Sequence, residues 1–394
     1  MKVLVFSEQY PPERGGVAIS AQRIVSALHE AGVEMAVVCY DPDSPPSDFP
    51  HVCSTAESEG FWLHRVGPYF KNRAEQLGED EKASMRRNAL LLVNRLAEQF
   101  RPDLIHSFYL LDAGFLASLV AQRLRIPHLT SVRGTDLSRG LFHAGRFALL
   151  RHTIESASGI TFVNEYLSGL ARTAFRLPRI SEVVPNGVFV AEAPHDQTAR
   201  RTVMRTKYAI RDDHPVVGFV GWARPKKGLE DLLEALAAVK QISPDLLIIG
   251  DFLEESDREG FAGRVRRLGL AERVAITGPL DHRRVRDLLP ALDAVVIPSW
   301  DDGMPNVLLE SMERGVPVFG SDVFADVLEH GRNGFVFERH DVAQLALLLD
   351  QWLQQPDVLT AAGLAARQTA IERFDYRHER DAYLRIYQSL LSEP

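Results

Sequence analysis

Short runs of Val, Ile and Leu alternate with longer stretches whose apolar residues recur every three or four positions. That alternation predicts strands and helices taking turns, which builds parallel α/β sheets. Residues 2–6 read as a strand, 17–31 as a helix stopped by Gly32, and 33–39 as the next strand. Residues 41–50 form a Pro/Asp/Ser loop. A helix over 82–100 precedes Pro102 and a strand at 103–106; a helix near 112–124 and strands at 127–132 and 160–163 follow.

The rhythm then breaks. Val184-Pro185-Asn186-Gly187-Val188 is a turn signal, and 191–213 is polar without clear periodicity. It restarts with a strand at 215–221, a helix at 228–240, a strand at 245–249 and a helix at 257–268. Strands at 273–276 and 293–297, a helix at 305–314, a strand at 316–319 and a helical tail over 341–392 complete the chain. Two doubly wound halves are therefore expected. Ligands of such sheets bind beyond the carboxyl ends of the strands. Two halves facing each other would place the site in the cleft between them.

Composition narrows the function. Of 394 residues, 45% are hydrophobic and 25% charged, which fits folded domains with sizeable cores. The net charge of −8 argues against a nucleic-acid partner. Residues 123–179 are locally basic: nine arginines face Asp136, Glu155 and Glu165. A solvated helical surface would look the same as a patch for an anionic acceptor or a membrane surface. The two cysteines, Cys39 and Cys53, have no metal-ligand spacing and suggest no disulfide framework. The first apolar run is too short for a signal peptide, and none approaches the roughly 20 residues that span a bilayer. A cytoplasmic protein is expected, with any membrane contact peripheral.

Three stretches carry candidate phosphate chemistry. Pro11-Pro12-Glu13-Arg14-Gly15-Gly16 joins the first strand to a helix. Its glycines would let the backbone approach a ligand at a helix N-terminus, although a plain strand–helix turn reads alike. It is no G-x-G-x-x-G fingerprint, so a nicotinamide cofactor is not indicated. Gly221-Trp222-Ala223-Arg224-Pro225-Lys226-Lys227-Gly228 puts three cations at a strand end, where they could neutralise a diphosphate or simply be solvated. The third stretch, Pro298 to Gly315, runs from a strand into a helix, with Pro305 at the expected first helical position and Gly315 at the stop. That helix N-terminus would favour a phosphate. Glu310, inside an otherwise apolar helix, needs partners that ribose hydroxyls could provide. Asp41-Pro42-Asp43 is formally a D-x-D, but its Pro-rich setting argues against a metal.

Together these residues resemble glycosyltransferase family 4, the retaining GT-B enzymes, over the whole chain. Gly15-Gly16 matches the family's glycine loop, Pro185-Asn186-Gly187-Val188 its inter-domain segment and Lys227-Gly228 its lysine turn. Asp302-x7-Glu310 matches its E-x7-E element, followed by Gly315-Val316-Pro317-Val318. The resemblance implies a GT-B α/β fold: two facing Rossmann-like domains and an inter-domain cleft. Its boundaries would be 1–188 for the acceptor domain, 189–213 for a linker and 214–372 for the nucleotide-sugar domain, with a helix at 373–394 returning to the first. It also implies roles. Gly15 and Gly16 approach the donor, Lys227 binds its diphosphate and Asp302 contacts the transferred sugar. The amides of Asn306 and Val307 complete the phosphate cradle, Gly303, Met304 and Pro305 bind the donor beside them, Glu310 binds ribose, and Leu280 in Thr277-Gly278-Pro279-Leu280 matches the base-binding turn.

Three positions depart from the family. Asp302 stands where Glu is usual, Trp222 where the phosphate Arg is usual, with Arg224 the substitute, and Arg133 where His is usual. A guanidinium stays protonated and cannot act as a base, so Arg133 is expected to steady phosphate charge or an acceptor anion. Asp302, Arg133 and Lys227 are the expected catalytic residues. His106 and Asp136 are acceptor-side candidates, although a lone His at a strand end is often structural. The implied reaction moves a sugar, of the hexosyl type, from a nucleoside diphosphate to a hydroxyl of a glycan, lipid-linked or small-molecule acceptor, with configuration kept. No cofactor or metal is called for. The donor would be a UDP-sugar first and a GDP-sugar second. A GT-B sugar-nucleotide epimerase and a non-catalytic sugar-nucleotide-binding partner of another transferase are the alternatives.

Overall fold

The computed structural model describes residues 1–13, 15–41, 51–67, 78–191, 197–208, 210–211 and 214–392. Arg14, Pro42 and Asp43 lie outside them, as do residues 44–50 of the Pro/Asp/Ser loop and residues 68–77. The chain forms two units, Met1–Gly187 with Tyr376–Pro394, and Val188–Asp375.

The first unit opens with β1 (Lys2–Ser7), α1 (Gly16–Glu30), β2 (Glu34–Tyr40), β3 (His51–Ser58) and β4 (Phe61–Gly67). It continues through α2 (Glu79–Phe100), β5 (Leu104–Phe108), α3 (Asp112–Leu124), β6 (His128–Val132), α4 (Thr135–Ser138), α5 (Ala144–Ser156), β7 (Gly159–Phe162), α6 (Glu165–Ala174) and β8 (Ile180–Val183). The strand order is β3-β4-β2-β1-β5-β6-β7-β8. Only β3–β4 is antiparallel, a hairpin whose Glu59 and Gly60 both take positive φ as a two-residue turn of this hand requires.

The second unit holds α7 (Gln197–Lys207), β9 (Val216–Val220), α8 (Leu229–Ala238), β10 (Asp245–Ile249), α9 (Glu255–Arg267), β11 (Val274–Ile276) and α10 (His282–Leu288). Then come β12 (Ala294–Ile297), α11 (Asn306–Glu313), β13 (Val318–Ser321), β14 (Phe335–Phe337), α12 (Val342–Trp352) and α13 (Pro356–Phe374). Its parallel sheet runs β11-β10-β9-β12-β13-β14. The chain winds outward one way from β9 and the other way from β12. The carboxyl ends of β9 and β12 therefore flank the point where winding reverses, which is where open sheets of this kind take ligands.

The last helix, α14 (Tyr376–Ser392), belongs to the first unit. Its Tyr383, Ile386, Tyr387 and Leu390 join the core formed by β1, β2, α1 and their neighbours. A buried ion pair fixes it: Arg23 Nε donates to Glu379 Oε2 at 2.8 Å and Nη2 to Oε1 at 3.1 Å. Glu379 Oε2 also accepts from the Gly187 amide at 3.0 Å, and Arg23 Nη2 reaches Asn186 Oδ1 at 3.4 Å. The Pro-Asn-Gly-Val segment is thus tied to α1 and α14. Such a pair withstands its desolvation cost only when its remaining hydrogen bonds are made, as these are.

The stretch 191–213, polar, without clear periodicity and expected within a linker, carries α7. An apolar stripe does not build it. Met204 is buried, but Arg201 pairs with Asp293 at 2.8 Å, and the buried Arg205 donates to the His214 carbonyl at 2.9 Å and to that of Arg211. A helix held by guanidinium contacts leaves little trace in hydrophobic periodicity.

Candidate active site

The second unit brings most of the expected donor residues together at its switch point. After β9 the chain turns through residues 221–228; after β12 it runs through 298–304 into α11. The two loops are clamped. Gly228 has φ 67°, and a Cβ there would stand 2.0 Å from the Pro298 carbonyl oxygen, so only glycine permits the approach. The Trp300 amide donates to the Lys226 carbonyl at 2.8 Å, and Trp300 Nε1 donates to Asp231 Oδ2 of α8 at 2.8 Å.

The clamp delivers two lysines to one carboxylate. Lys227 Nζ hydrogen-bonds Asp302 Oδ2, and Lys226 Nζ lies 3.9 Å from Oδ1. The Gly303 amide donates to Oδ1 at 3.1 Å. Burial alone would raise the Asp302 carboxyl. The Lys227 and Lys226 charges and the hydrogen bonds outweigh it and hold the group below the usual carboxylate range. Asp302 is therefore an anion with lysines on it.

Gly303, Met304 and Pro305 lead into α11. Pro305 is the N-cap rather than the first helical residue, with φ −69° and ψ 133°, and no side chain caps the helix. The shift by one residue follows from its extended ψ, which places the first helical torsions at Asn306. Asn306 is buried and Val307 half-buried in the first turn. The positive end of the helix dipole faces this loop. The helix ends as expected: Gly315 has φ 71°, with Gly315 N to Met312 O at 2.9 Å and Val316 N to Ser311 O at 2.9 Å.

Glu310 sits one turn in from that N-terminus, only 5% exposed. His282 Nε2 donates to its Oε1 at 2.5 Å. A carboxylate only accepts, so Nε2 carries the proton. Neither residue periodicity nor spacing pointed to His282; its one sequence cue is its place just beyond the Thr277–Leu280 turn. Leu280, half-buried, lies in that turn beside Gly278 with φ 72°. Glu313, also unforeseen, is fully buried. It accepts from Arg286 Nη2 at 3.1 Å and the Ala191 amide at 3.0 Å, and pairs with Arg314 and Arg367. These contacts anchor α11. Arg224 is exposed at the start of the lysine turn, and its carbonyl accepts from Lys227 N at 2.8 Å.

The remaining candidates lie in the first unit. Gly15 is the N-cap of α1 and Gly16 its first residue. Arg133 follows β6; its Nη2 hydrogen-bonds Asn186 Oδ1 and its guanidinium lies 5.8 Å from the Phe108 ring centroid. Two expectations fail here. His106 has no exposed surface, and its ring nitrogens are 2.6 Å from the Tyr387 hydroxyl and 2.8 Å from Ser131 Oγ. Burial, then His128 and Arg133, push it well below the usual imidazole range, so it is a neutral internal strut between β5 and α14. Asp136 is equally buried. It accepts from the amides of Gly134 at 2.7 Å, and of Arg133 and Leu110 at 3.2 Å. Burial raises its carboxyl against those bonds. It shapes the turn that presents Arg133 and offers no atom to an acceptor. Of the basic stretch, Arg123 pairs with Glu98 and Arg151 with Glu155, as a solvated surface would. Among the described residues no helix is long and apolar enough to cross a membrane.

Two family models match in tandem. The one described as Glycosyl transferase 4-like domain covers residues 15–187, and Glycosyl transferases group 1 covers 200–369. The chain belongs to glycosyltransferase family 4. This glycosyltransferase is 26% identical over 312 residues to N-acetyl-alpha-D-glucosaminyl L-malate synthase of Bacillus anthracis, covering 77% of this chain and 80% of that one. It is 27% identical over 416 residues to glycogen synthase of Mycobacterium tuberculosis, covering 98% and 94%. Its fold is GT-B: Anabaena Alr3699/HepE, solved with UDP and glucose, matches at a TM-score of 0.80 and 19% identity over 99% of this chain and 100% of that one.

Proposed function

We propose that this glycosyltransferase is a retaining hexosyltransferase using a nucleoside-diphosphate sugar, with UDP preferred and GDP second. The observation that carries the reading is the set Lys226, Lys227 and Asp302 at the mouth of α11, with Glu310 one turn further in. Cations and a helix N-terminus suit a departing diphosphate, and a buried carboxylate with one open oxygen suits ribose. The bond from the anomeric carbon to the diphosphate oxygen breaks as that carbon bonds the acceptor oxygen on the same face. The acceptor proton goes to the leaving phosphate oxygen, so no protein base takes part. Lys227 and Lys226 carry the leaving-group charge, with Arg224 in reserve; Asp302 holds a sugar hydroxyl. Arg133, whose Nη1 is buried without an acceptor among the described residues, donates to phosphate or acceptor oxygen. No cofactor enters this scheme.

UDP is placed first because UDP and glucose are bound by the similar Anabaena protein. The acceptor is a glycan, lipid-linked or small-molecule hydroxyl compound, in glycan, polysaccharide or glycolipid biosynthesis. The site of action is the cytoplasm, with peripheral contact at the inner membrane face. A thermal-shift screen across UDP-, GDP- and ADP-sugars tests the donor. A ligand at 100 times its Kd adds about 2.7 kcal/mol to the folded state. A UDP-sugar is expected to give the largest rise in Tm; the absence of a rise with every nucleotide sugar would overturn the proposal. Retention is then read from the anomeric proton coupling of the product, an α-linkage from an α-donor being the expected result and a β-linkage the contrary one.

A further inference from the structure

The structure assigns His282 as a positioning residue that sets how Glu310 reads the donor's ribose, an inference that rests on the donor reading above. The observation is the shared carboxylate. Glu310 is almost entirely buried, and His282 Nε2 holds its Oε1 at 2.5 Å. The Glu310 carboxylate makes no other hydrogen bond among the described residues. One oxygen is therefore committed to the protein and Oε2 is left for a ligand hydroxyl. A buried carboxylate with one partner missing would swing to find another. The imidazole prevents this by fixing the plane of the carboxylate.

His282 can serve this way because of where its backbone stands. It opens α10, whose N-cap Asp281 accepts from the Arg284 amide at 2.9 Å. The preceding Thr277–Leu280 turn is pinned to β10 by Thr277 N to Ile248 O at 2.9 Å. The ring is thus presented from a fixed turn next to the one expected at the nucleotide base. Its side chain keeps 39% of its surface exposed while that of Glu310 keeps 7%, so the imidazole stands at the rim and the carboxylate at the floor.

The consequence is selectivity between nucleotides that carry ribose hydroxyls and those that lack them. Calorimetric titration of wild type and His282→Ala with UDP and with 2′,3′-dideoxy-UDP tests it; GDP and its dideoxy analogue replace them if the wild type binds GDP more tightly. The wild type is expected to favour the ribonucleotide by about 10-fold or more, matching a charged hydrogen bond. His282→Ala is expected to lose most of that preference while binding the dideoxy analogue as the wild type does. His282→Gln, which keeps a donor near the same place, is expected to recover part of it. Equal weakening of both ligands in His282→Ala, or an unchanged preference, would overturn the inference while leaving the ribose role of Glu310 standing. A wild type that does not distinguish the two ligands would instead remove the ribose reading itself. A Tm within a few degrees of wild type in both variants shows that folding is not what changed.

Discussion

Replacing Lys227 with methionine is expected to lower sugar transfer about 10²- to 10³-fold, the usual cost of removing one donor that stabilises developing negative charge. The side chain is partly exposed and its own amide donates to the Arg224 carbonyl, while the Lys226 carbonyl accepts from Trp300 N and Gly228 packs against the Pro298 carbonyl, none of them through Nζ. The fold should therefore survive, and kcat should carry most of the loss because charge on the leaving diphosphate is greatest in the transition state. Initial-rate kinetics with a matched donor decide it. A variant within a few-fold of wild type in kcat/KM would mean that Lys227 does not meet the leaving group.

The second large effect runs in two directions. Asp302 pairs with Lys227 and lies near Lys226, so a diphosphate competes with a carboxylate for those cations. Asp302→Asn removes the competing charge. Nucleoside diphosphate affinity is expected to rise several-fold, because the lysines no longer exchange one anion for another. Transfer is expected to fall about 10- to 100-fold, because the transferred sugar loses a charged hydrogen-bond acceptor worth about 1.5–3 kcal/mol. Titration with UDP and a transfer assay on the same preparation separate the two. Weaker UDP binding in the variant, or undiminished transfer, would contradict this assignment.

Much of this arrangement is legible in the sequence. The buried strands ending at residues 220 and 297 announced themselves as apolar runs, and each was followed by residues suited to phosphate, so the lysine turn and the 298–315 segment were found as separate pieces. Their union was not legible. That Lys227 grips Asp302 depends on Gly228 passing against the Pro298 carbonyl, a contact between residues 70 apart. His282 and Glu310 meet the same way, across 28 positions. His106 misled because a strand-end histidine looks alike whether it faces solvent or a returning helix; the tyrosines of α14 that enclose it come 277 and 281 residues later. Asp136 misled because its partners are backbone amides, which every sequence has. The helix at Gln197–Lys207 escaped notice because arginine–aspartate and arginine–carbonyl contacts hold it.

The central claim is that a nucleoside diphosphate lodges where β9 and β12 end. A crystal structure of the protein with UDP tests it most directly. The expected result is a phosphate oxygen within hydrogen-bond reach of Lys227 Nζ and of the first turn of α11, with a ribose hydroxyl on Glu310 Oε2. A nucleotide bound elsewhere, or one whose phosphates lie away from both Lys227 and α11, would contradict the account.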